Sequence, residues 1–249
     1  MDYNTIIQGD SLQVLKTLPD ESVNCCVTSP PYHNGKSPYK KYIKTLCDIF
    51  DQVKRVLINN GVCWVVIGSE SDLMIPEQFA IEMMNRGWIK GKTRIWYRPV
   101  TMDFDYVYLF TKQPLEYKQP TVIKEKSDDP ILRLERLARK LEKYKEKHNI
   151  DICWLEEEVA KLYIDSVEDS IWEIKGEYYP AFPEALIEPM IQAGCPKGGI
   201  VIDPFGGALT TCVVAKKQGK RYIAIELKPE YIEMGKRRLE KTLYPNKLF

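Results

Sequence analysis

The chain has 249 residues in which 36 Lys and Arg face 35 Asp and Glu, a formal net charge of +1. That balance excludes a basic tail, an acidic solvating segment and a protein that coats nucleic acid along its whole surface. With 44% hydrophobic and 29% charged residues the composition is that of a globular protein able to bury a sizeable core without staples. The longest apolar run, Val62 to Ile67, falls far short of the ~18 residues needed to span a bilayer, and Met1-Asp2-Tyr3-Asn4 does not open a signal peptide. The seven cysteines form no Cys-x-x-Cys pair and sit mostly inside apolar runs, which reads as reduced core thiols of a cytoplasmic protein.

Up to about Thr111, short apolar runs alternate with amphipathic stretches, the pattern of strands and helices in an α/β sheet. Ile6-Ile7 runs into Gly9-Asp10, Val23 to Val27 ends at Thr28-Ser29-Pro30-Pro31, and Val62 to Ile67 ends at Gly68. Apolar residues from Tyr42 to Leu57 recur at spacings of three and four, predicting a helix over about 39–59 that Asn60-Gly61 stops. Arg94 to Arg98 and Tyr106 to Phe110 predict an antiparallel pair at a sheet edge.

The texture changes over about 114–176, dividing the chain into 1–113, a helical insertion at 114–176 and 177–249. Leu134, Leu137, Leu141 and Tyr144, then Leu155, Val159 and Leu162, predict a helical hairpin turning near His148-Asn149. Residues 124–147 hold nine basic against six acidic side chains, whereas 151–177 hold nine acidic against two. This is read as two solvated helices of opposite charge, with a target-recognition role reserved for the basic first helix.

From Tyr178 the α/β pattern returns. Ile200-Val201-Ile202 leads to Asp203-Pro204-Phe205-Gly206-Gly207, then a helix through Cys212, Val213 and Ala215, then Tyr222 to Ile225 ending at Glu226. A glycine pair between strand and helix lets the backbone approach a bound molecule, and the helix N-terminus adds partial positive charge. Glu226, nineteen residues after Gly207, is placed to accept both hydroxyls of a ribose. Neither a Gly-x-x-x-x-Gly-Lys-Ser/Thr nor a Gly-x-Gly-x-x-Gly occurs at this turn, so the combination favours a nucleoside without phosphates over a mere tight turn.

Ser29-Pro30-Pro31-Tyr32 carries the chemistry. Two prolines fix φ and make the loop rigid. Ser29 Oγ and the Pro30 carbonyl are acceptors for the two hydrogens of a planar amino group, and Tyr32 offers a stacking face. Two fixed acceptors draw such a nitrogen toward a tetrahedral, nucleophilic form, so proximity and acceptor geometry supply catalysis without a covalent intermediate. The competing reading is a Pro-Pro turn that merely ends a strand.

Thr28-Ser29-Pro30-Pro31-Tyr32, preceded by Gly9-Asp10 and followed near the C-terminus by Asp203-Pro204-Phe205-Gly206-Gly207-Ala208-Leu209-Thr210-Thr211, resembles the amino-methylating DNA methyltransferases of the β class. The resemblance implies a Rossmann-like, seven-stranded α/β sheet dependent on S-adenosyl-L-methionine, circularly permuted so that the first strand lies beside the last cofactor strand. It assigns Ser29, Pro30, Pro31 and Tyr32 to the target base, and Asp203, Phe205, Gly206, Gly207 and Thr210 to the cofactor turn. Glu226 would bind the ribose and Asp10 would face the adenine. Phe182-Pro183 resembles the element that closes over the methionine moiety, and Ile95-Trp96-Tyr97-Arg98 the strand whose aromatic lines the flipped-base pocket. Two departures stand out. Leu209 occupies a position where the family usually has glycine, implying a weaker approach to the cofactor, and the stretch between Arg98 and Asp105 is shorter than the family's loop, implying a smaller surface for DNA.

Reaching an amino group inside a duplex requires extruding the base and holding the backbone on positive charge. Lys36 and Lys40 follow the catalytic loop, and Arg94 and Arg98 lie in a stretch without acids, so these four with Trp96 are the expected DNA contacts. Neither His33 nor His148 has metal-ligand spacing around it, and no metal is expected. The resulting expectation is a site-specific DNA methyltransferase, with serine at the first motif position favouring cytosine N4 by family association. Adenine N6, a catalytically inactive DNA-binding module, and methylation of RNA or a protein amide are the alternatives. A homodimer and a cognate restriction nuclease are partners that the resemblance leaves open.

Overall fold

The computed structural model describes residues 3–33, 35–68, 73–98, 103–114, 171–173 and 182–243. Side chains of residue 98, residue 103 and residues 171–173 are not described. The chain forms two compact units, Met1–Pro120 with Trp172–Phe249, and Thr121–Ile171. The predicted helical hairpin and the acidic block both lie outside the described residues.

The first unit is built on a mixed sheet. Its strands are β1 Thr5–Gln8, β2 Val23–Thr28, β3 Leu57–Ile67, β4 Ile89–Lys90, β5 Arg94–Arg98, β6 Asp103–Thr111, β7 Ile171–Glu173, β8 Ile200–Asp203 and β9 Arg221–Glu226. They lie in the order β1-β9-β8-β2-β3-β6-β5-β7, with β4 paired to β6 off this path. The seven strands expected are thus present, with the short β4 and β7 added. The expected permutation is visible in β1, which runs parallel to β9 with Gln8 opposite Glu226.

From β1 to β3 every neighbour is parallel, and β6 turns the sheet antiparallel against β3. Parallel strands are buried on both faces and so read as continuous apolar runs; β2 and β8 are of this kind. The expected antiparallel pair is β5 with β6, Arg94 opposite Val107. Only β5 of the two lies toward the edge, since β6 also pairs with β3.

Helices α1 Ser11–Thr17, α2 Tyr39–Val56 and α3 Ile75–Asn85 pack in sequence along one face. Ile43, Leu46, Cys47, Phe50 and Val53 of α2 meet Cys26, Cys63, Val65 and Ile67 of the sheet in one core, which Phe79, Trp88 and Phe110 extend. The opposite layer holds α4 Glu184–Gly194, α5 Thr210–Lys217 and α6 Pro229–Lys241. Six described cysteines are free and buried, as expected of core thiols. Among the described residues no helix is long and apolar enough to cross a membrane.

One boundary differs from the sequence reading. The predicted helix over 39–59 ends at Val56, and Leu57 to Asn60 already belong to β3. Leu57 continues the helical apolar spacing, but its pairing with Val23 captures it for the sheet, and a register irregularity between Val23 and Cys25 absorbs the intervening residues.

Arg55, in the last turn of α2, closes the end of α1. Its Nη2 donates to Leu15 O at 2.7 Å and its Nη1 to Leu18 O at 2.9 Å, with Nη1 also on Asp20. The cation thus satisfies carbonyls that a helix C-terminus leaves open and sits at the negative end of its dipole. Arg55→Met keeps the stem and removes these bonds. It is expected to cost roughly 1–3 kcal/mol in urea unfolding and to raise hydrogen exchange first in α1.

Candidate active site

In open α/β sheets ligands bind at the carboxyl ends of the strands, in the crevice where successive crossovers leave in opposite directions. Here β8 leads through α5 to β9 on one side, while β2 leads through α2 to β3 on the other, and β8 and β2 are neighbours. The switch point therefore lies between Asp203 and Thr28. The sheet gathers Gly9-Asp10, Ser29 to Tyr32, Gly68, Asp203 to Gly207 and Glu226 onto this one edge, from positions more than two hundred residues apart.

Asp203 joins the two halves. It is 2% exposed, and its Oδ1 accepts from Thr28 Oγ1 at 2.6 Å and from the Phe205 amide at 3.0 Å. Its Oδ2 accepts from Thr211 Oγ1 at 2.7 Å; that hydroxyl also lies 3.3 Å from Val27 O, a longer second contact for the same proton. Burial pushes the carboxyl from 3.8 up to about 6, against the three donors that lower it, and the nearby Glu226 charge adds to the rise. The cofactor role expected of Asp203 is thus exercised through hydrogen bonds inside the protein.

The cofactor turn depends on two glycines for different reasons. A Cβ on Gly206 would lie 3.1 Å from Ala224 Cβ and from Leu209 Cδ2, so the turn can press against β9 only without a side chain. Gly207 has φ +49°, and beyond it a Cβ would meet only Phe205 O at 3.9 Å. Glu226 Oε2 accepts from the Gly207 amide and Oε1 from the Lys228 amide, both at 2.8 Å. Each oxygen keeps a lone pair for a further donor, as two ribose hydroxyls require. Open space beyond Gly207 and a carboxylate with acceptor capacity to spare fit the expected nucleoside. Phe205 is half-buried; Phe182 and Pro183 are half-buried too, with Pro183 capping α4. Asp10 is exposed and caps α1, its Oδ1 accepting from the Gln13 amide at 3.0 Å. Thr210 is buried, and its hydroxyl is held by Arg238 at 2.8 Å.

Leu209 has left-handed backbone, φ 60° and ψ 31°, where the family resemblance expects glycine. Its side chain is fully buried toward α6: a Cβ on Gly235 would lie 2.3 Å from Leu209 Cγ and 2.5 Å from Cδ1. The leucine therefore fills a notch left by a helical glycine.

On the β2 side, Ser29 is half-buried, Pro30 buried, Pro31 exposed and Tyr32 half-buried. Tyr42 of α2 donates its hydroxyl to Pro31 O at 2.9 Å, and its ring meets that of His33 at 5.3 Å in an edge contact. Burial raises the Tyr42 phenol well above its usual range, which keeps this donor protonated. His33 Nε2 lies 2.7 Å from Ser37 O, so the imidazole braces the loop. A Cβ on Gly68 would lie 2.1 Å from Asp105 Oδ1 and 3.0 Å from Tyr32 Cε2, which places a buried carboxylate and the tyrosine ring over the same glycine.

Two expected DNA contacts are corrected. Arg94 is 1% exposed, lies 5.4 Å over the Trp64 ring and donates to Lys92 O. Trp96 is 7% exposed opposite Asp105. Both point into the sheet's packed face, out of reach of a phosphate. Lys36 and Lys40 are exposed, and the Arg98 side chain lies outside the described residues. Thr28, Thr211, Tyr42, Asp105 and Gly235 were not singled out individually from sequence. Only Thr28 and Thr211, inside the quoted motifs, and Gly235, a glycine amid a helical pattern, left a local signal. Among the described residues no cluster of His, Cys, Asp and Glu is arranged to hold a metal.

A family model described as DNA methylase, covering N6 and N4 methyltransferases, matches residues 23–237. The chain belongs to this DNA methylase family. Type II methyltransferase M.Cfr9I of Citrobacter freundii is 25% identical over 95% of this methylase and 87% of its own length. DNA adenine methyltransferase YhdJ of Escherichia coli is 28% identical over 96% and 83%. The fold matches that of TTHA0409, a DNA modification methylase from Thermus thermophilus solved with S-adenosyl-L-methionine, at a TM-score of 0.69 and 23% identity over 96% of this chain and 94% of that one. It also matches the cytosine-N4-specific PvuII DNA methyltransferase at a TM-score of 0.67 and 19% identity, over 100% and 89%.

Two measurements check this geometry. Because the folded state binds the Asp203 proton more tightly than the unfolded chain, its stabilisation is complete below about pH 4 and is lost as pH rises through about 6. The stability of wild type relative to Asp203→Asn is therefore expected to fall by on the order of 1–3 kcal/mol between pH 4 and pH 7, read by urea unfolding at each pH. Gly235→Ala, a change that ordinarily favours a helix by ~1 kcal/mol, is expected instead to destabilise by ~1–3 kcal/mol through overlap with Leu209. Adding Leu209→Gly is expected to recover most of that loss, a coupling visible in a double-mutant cycle.

Proposed function

We propose that this methylase transfers a methyl group from S-adenosyl-L-methionine to the exocyclic N4 amino group of a cytosine flipped out of duplex DNA. The observation that carries the reading is the meeting of two loops at one switch point: Ser29 to Tyr32 after β2, and Phe205 to Gly207 after β8, with Glu226 at the end of the next strand over. Phe205, Gly206, Gly207 and Glu226 would hold the cofactor, with Phe182 and Pro183 over its methionine end and Asp10 toward its adenine. When bound, S-adenosyl-L-methionine supplies the methyl group as a sulfonium electrophile.

The rest falls to this chain's own groups. Ser29 Oγ and Pro30 O accept the two amino hydrogens, which localises the nitrogen lone pair, and Tyr32 stacks on the base. The Pro31 carbonyl already accepts from Tyr42, so its part is to keep the loop rigid. Lys36, Lys40 and Arg98 contact backbone phosphates, which makes binding fall with added salt. Cytosine is favoured over adenine by serine at position 29, through the family resemblance. The M.Cfr9I likeness supports work alongside a restriction nuclease of the same specificity.

The likeness to an adenine methyltransferase gives adenine N6 as the second reading. Unmethylated plasmid incubated with the protein and cofactor, then digested to nucleosides, is expected to yield N4-methylcytosine by mass. N6-methyladenine alone would overturn the cytosine assignment. Ser29→Ala removes one acceptor and is expected to lower kcat roughly 10²-fold with little change in cofactor affinity.

A further inference from the structure

We infer that Thr28 is a positioning residue that makes the cofactor site and the target-base site bind cooperatively. The inference rests on the methyl-transfer reading and deepens it. Thr28 is fully buried at the last position of β2, immediately before Ser29. Its hydroxyl and the amide of Phe205 donate to the same oxygen of Asp203, at 2.6 and 3.0 Å. One atom therefore receives both the residue that precedes the base-binding loop and a residue of the cofactor turn. The second oxygen receives Thr211 of α5, the helix whose N-terminus the turn opens, and Ser11 Oγ of α1 fixes Pro204 O within the turn at 2.6 Å.

The chemistry of the carboxylate makes this link stiff. A buried carboxylate has no water to replace a lost donor, and each charge-assisted bond it accepts is short and strongly directional. Ordering Phe205 to Gly207 around the cofactor holds Asp203 Oδ1 in place, and through 2.6 Å the Thr28 hydroxyl and the start of the base loop with it. Ordering the base loop acts in the opposite direction with the same free energy, since coupling between two binding sites is reciprocal. Thr28 touches neither cofactor nor base. Its contribution is the transmission.

The test uses the full chain and S-adenosyl-L-homocysteine, titrated calorimetrically alone and with a saturating unmethylated duplex that carries a site the wild type methylates. In the wild type the duplex is expected to tighten S-adenosyl-L-homocysteine binding at least fivefold, within the usual range of coupling. Thr28→Val keeps the shape and removes the hydroxyl. It is expected to bring that ratio below twofold and kcat down at least tenfold, with the affinity for S-adenosyl-L-homocysteine alone changed less than threefold. Thr28→Ser, which retains the hydroxyl, is expected to restore both. Should Thr28→Val not fold by circular dichroism, Thr28→Cys, with a weaker donor of similar size, must show the same selective loss of coupling. A wild-type ratio near one, an unchanged ratio in the hydroxyl-free variant, or equal loss in T28V and T28S overturns the inference. A wild-type protein that methylates no DNA overturns the function instead, and does so before any variant is made.

Discussion

The Asp203 carboxylate at the seam between β8 and β2 is the constraint on which the rest of the site depends. Removing a carboxylate from water costs several kcal/mol unless donors replace the hydration, and here three protein donors do so, one from β2, one from the cofactor turn and one from α5. No other strand order among these elements brings those donors together. The network therefore specifies that β8 lie beside β2, and with that adjacency fixed, the crevice between their carboxyl ends follows from topology.

Around this seam, the two helical layers do different work. Helices α1 and α2 hold the loops from below: Asp10 starts α1 beside the cofactor edge, Arg55 closes its other end, and Tyr42 grips the second proline of the base loop. On the other layer, α5 and α6 fix the cofactor turn, with Arg238 reaching Ala208 O, Thr210 Oγ1 and Glu184. Beyond β3 the sheet turns antiparallel, and its buried Arg94, Asp105 and Trp96 form a polar wall against which Tyr32 and Gly68 rest. The base loop is thus bounded by a rigid sheet edge on one side and a clamped turn on the other.

Much of this frame was legible in sequence because parallel strands announce themselves as apolar runs that stop at polar loops. Val23 to Val27, Val62 to Ile67 and Ile200 to Ile202 were all found, and their stopping points are the site. What stayed hidden has a common physical cause: it depends on partners distant in the chain. Leu57 matches a helical period locally and joins a strand only because Val23 lies beside it. Arg94 has the composition of a surface charge, and only the β5 and β6 register turns it inward. The short helices α1 and α3 carry few apolar repeats and went unread. The Tyr42 hydroxyl has no motif, since its acceptor is a carbonyl eleven residues earlier in a loop whose path the sequence does not specify.

Leu209 and Gly235 also constrain the order in which such a site can change. Glycine at 235 beside a glycine at 209 would cost only helix propensity, about 1 kcal/mol. Leucine at 209 beside any larger residue at 235 would meet a steric overlap between backbone and side chain. The permissive step is therefore the silent one in α6, and the leucine in the turn can only follow it. After both, return to glycine at 209 leaves a cavity, so a substitution first tolerated because of its neighbour becomes one the fold retains. A position that looks free to drift in one chain is in this way closed in another, by a residue on a different helix.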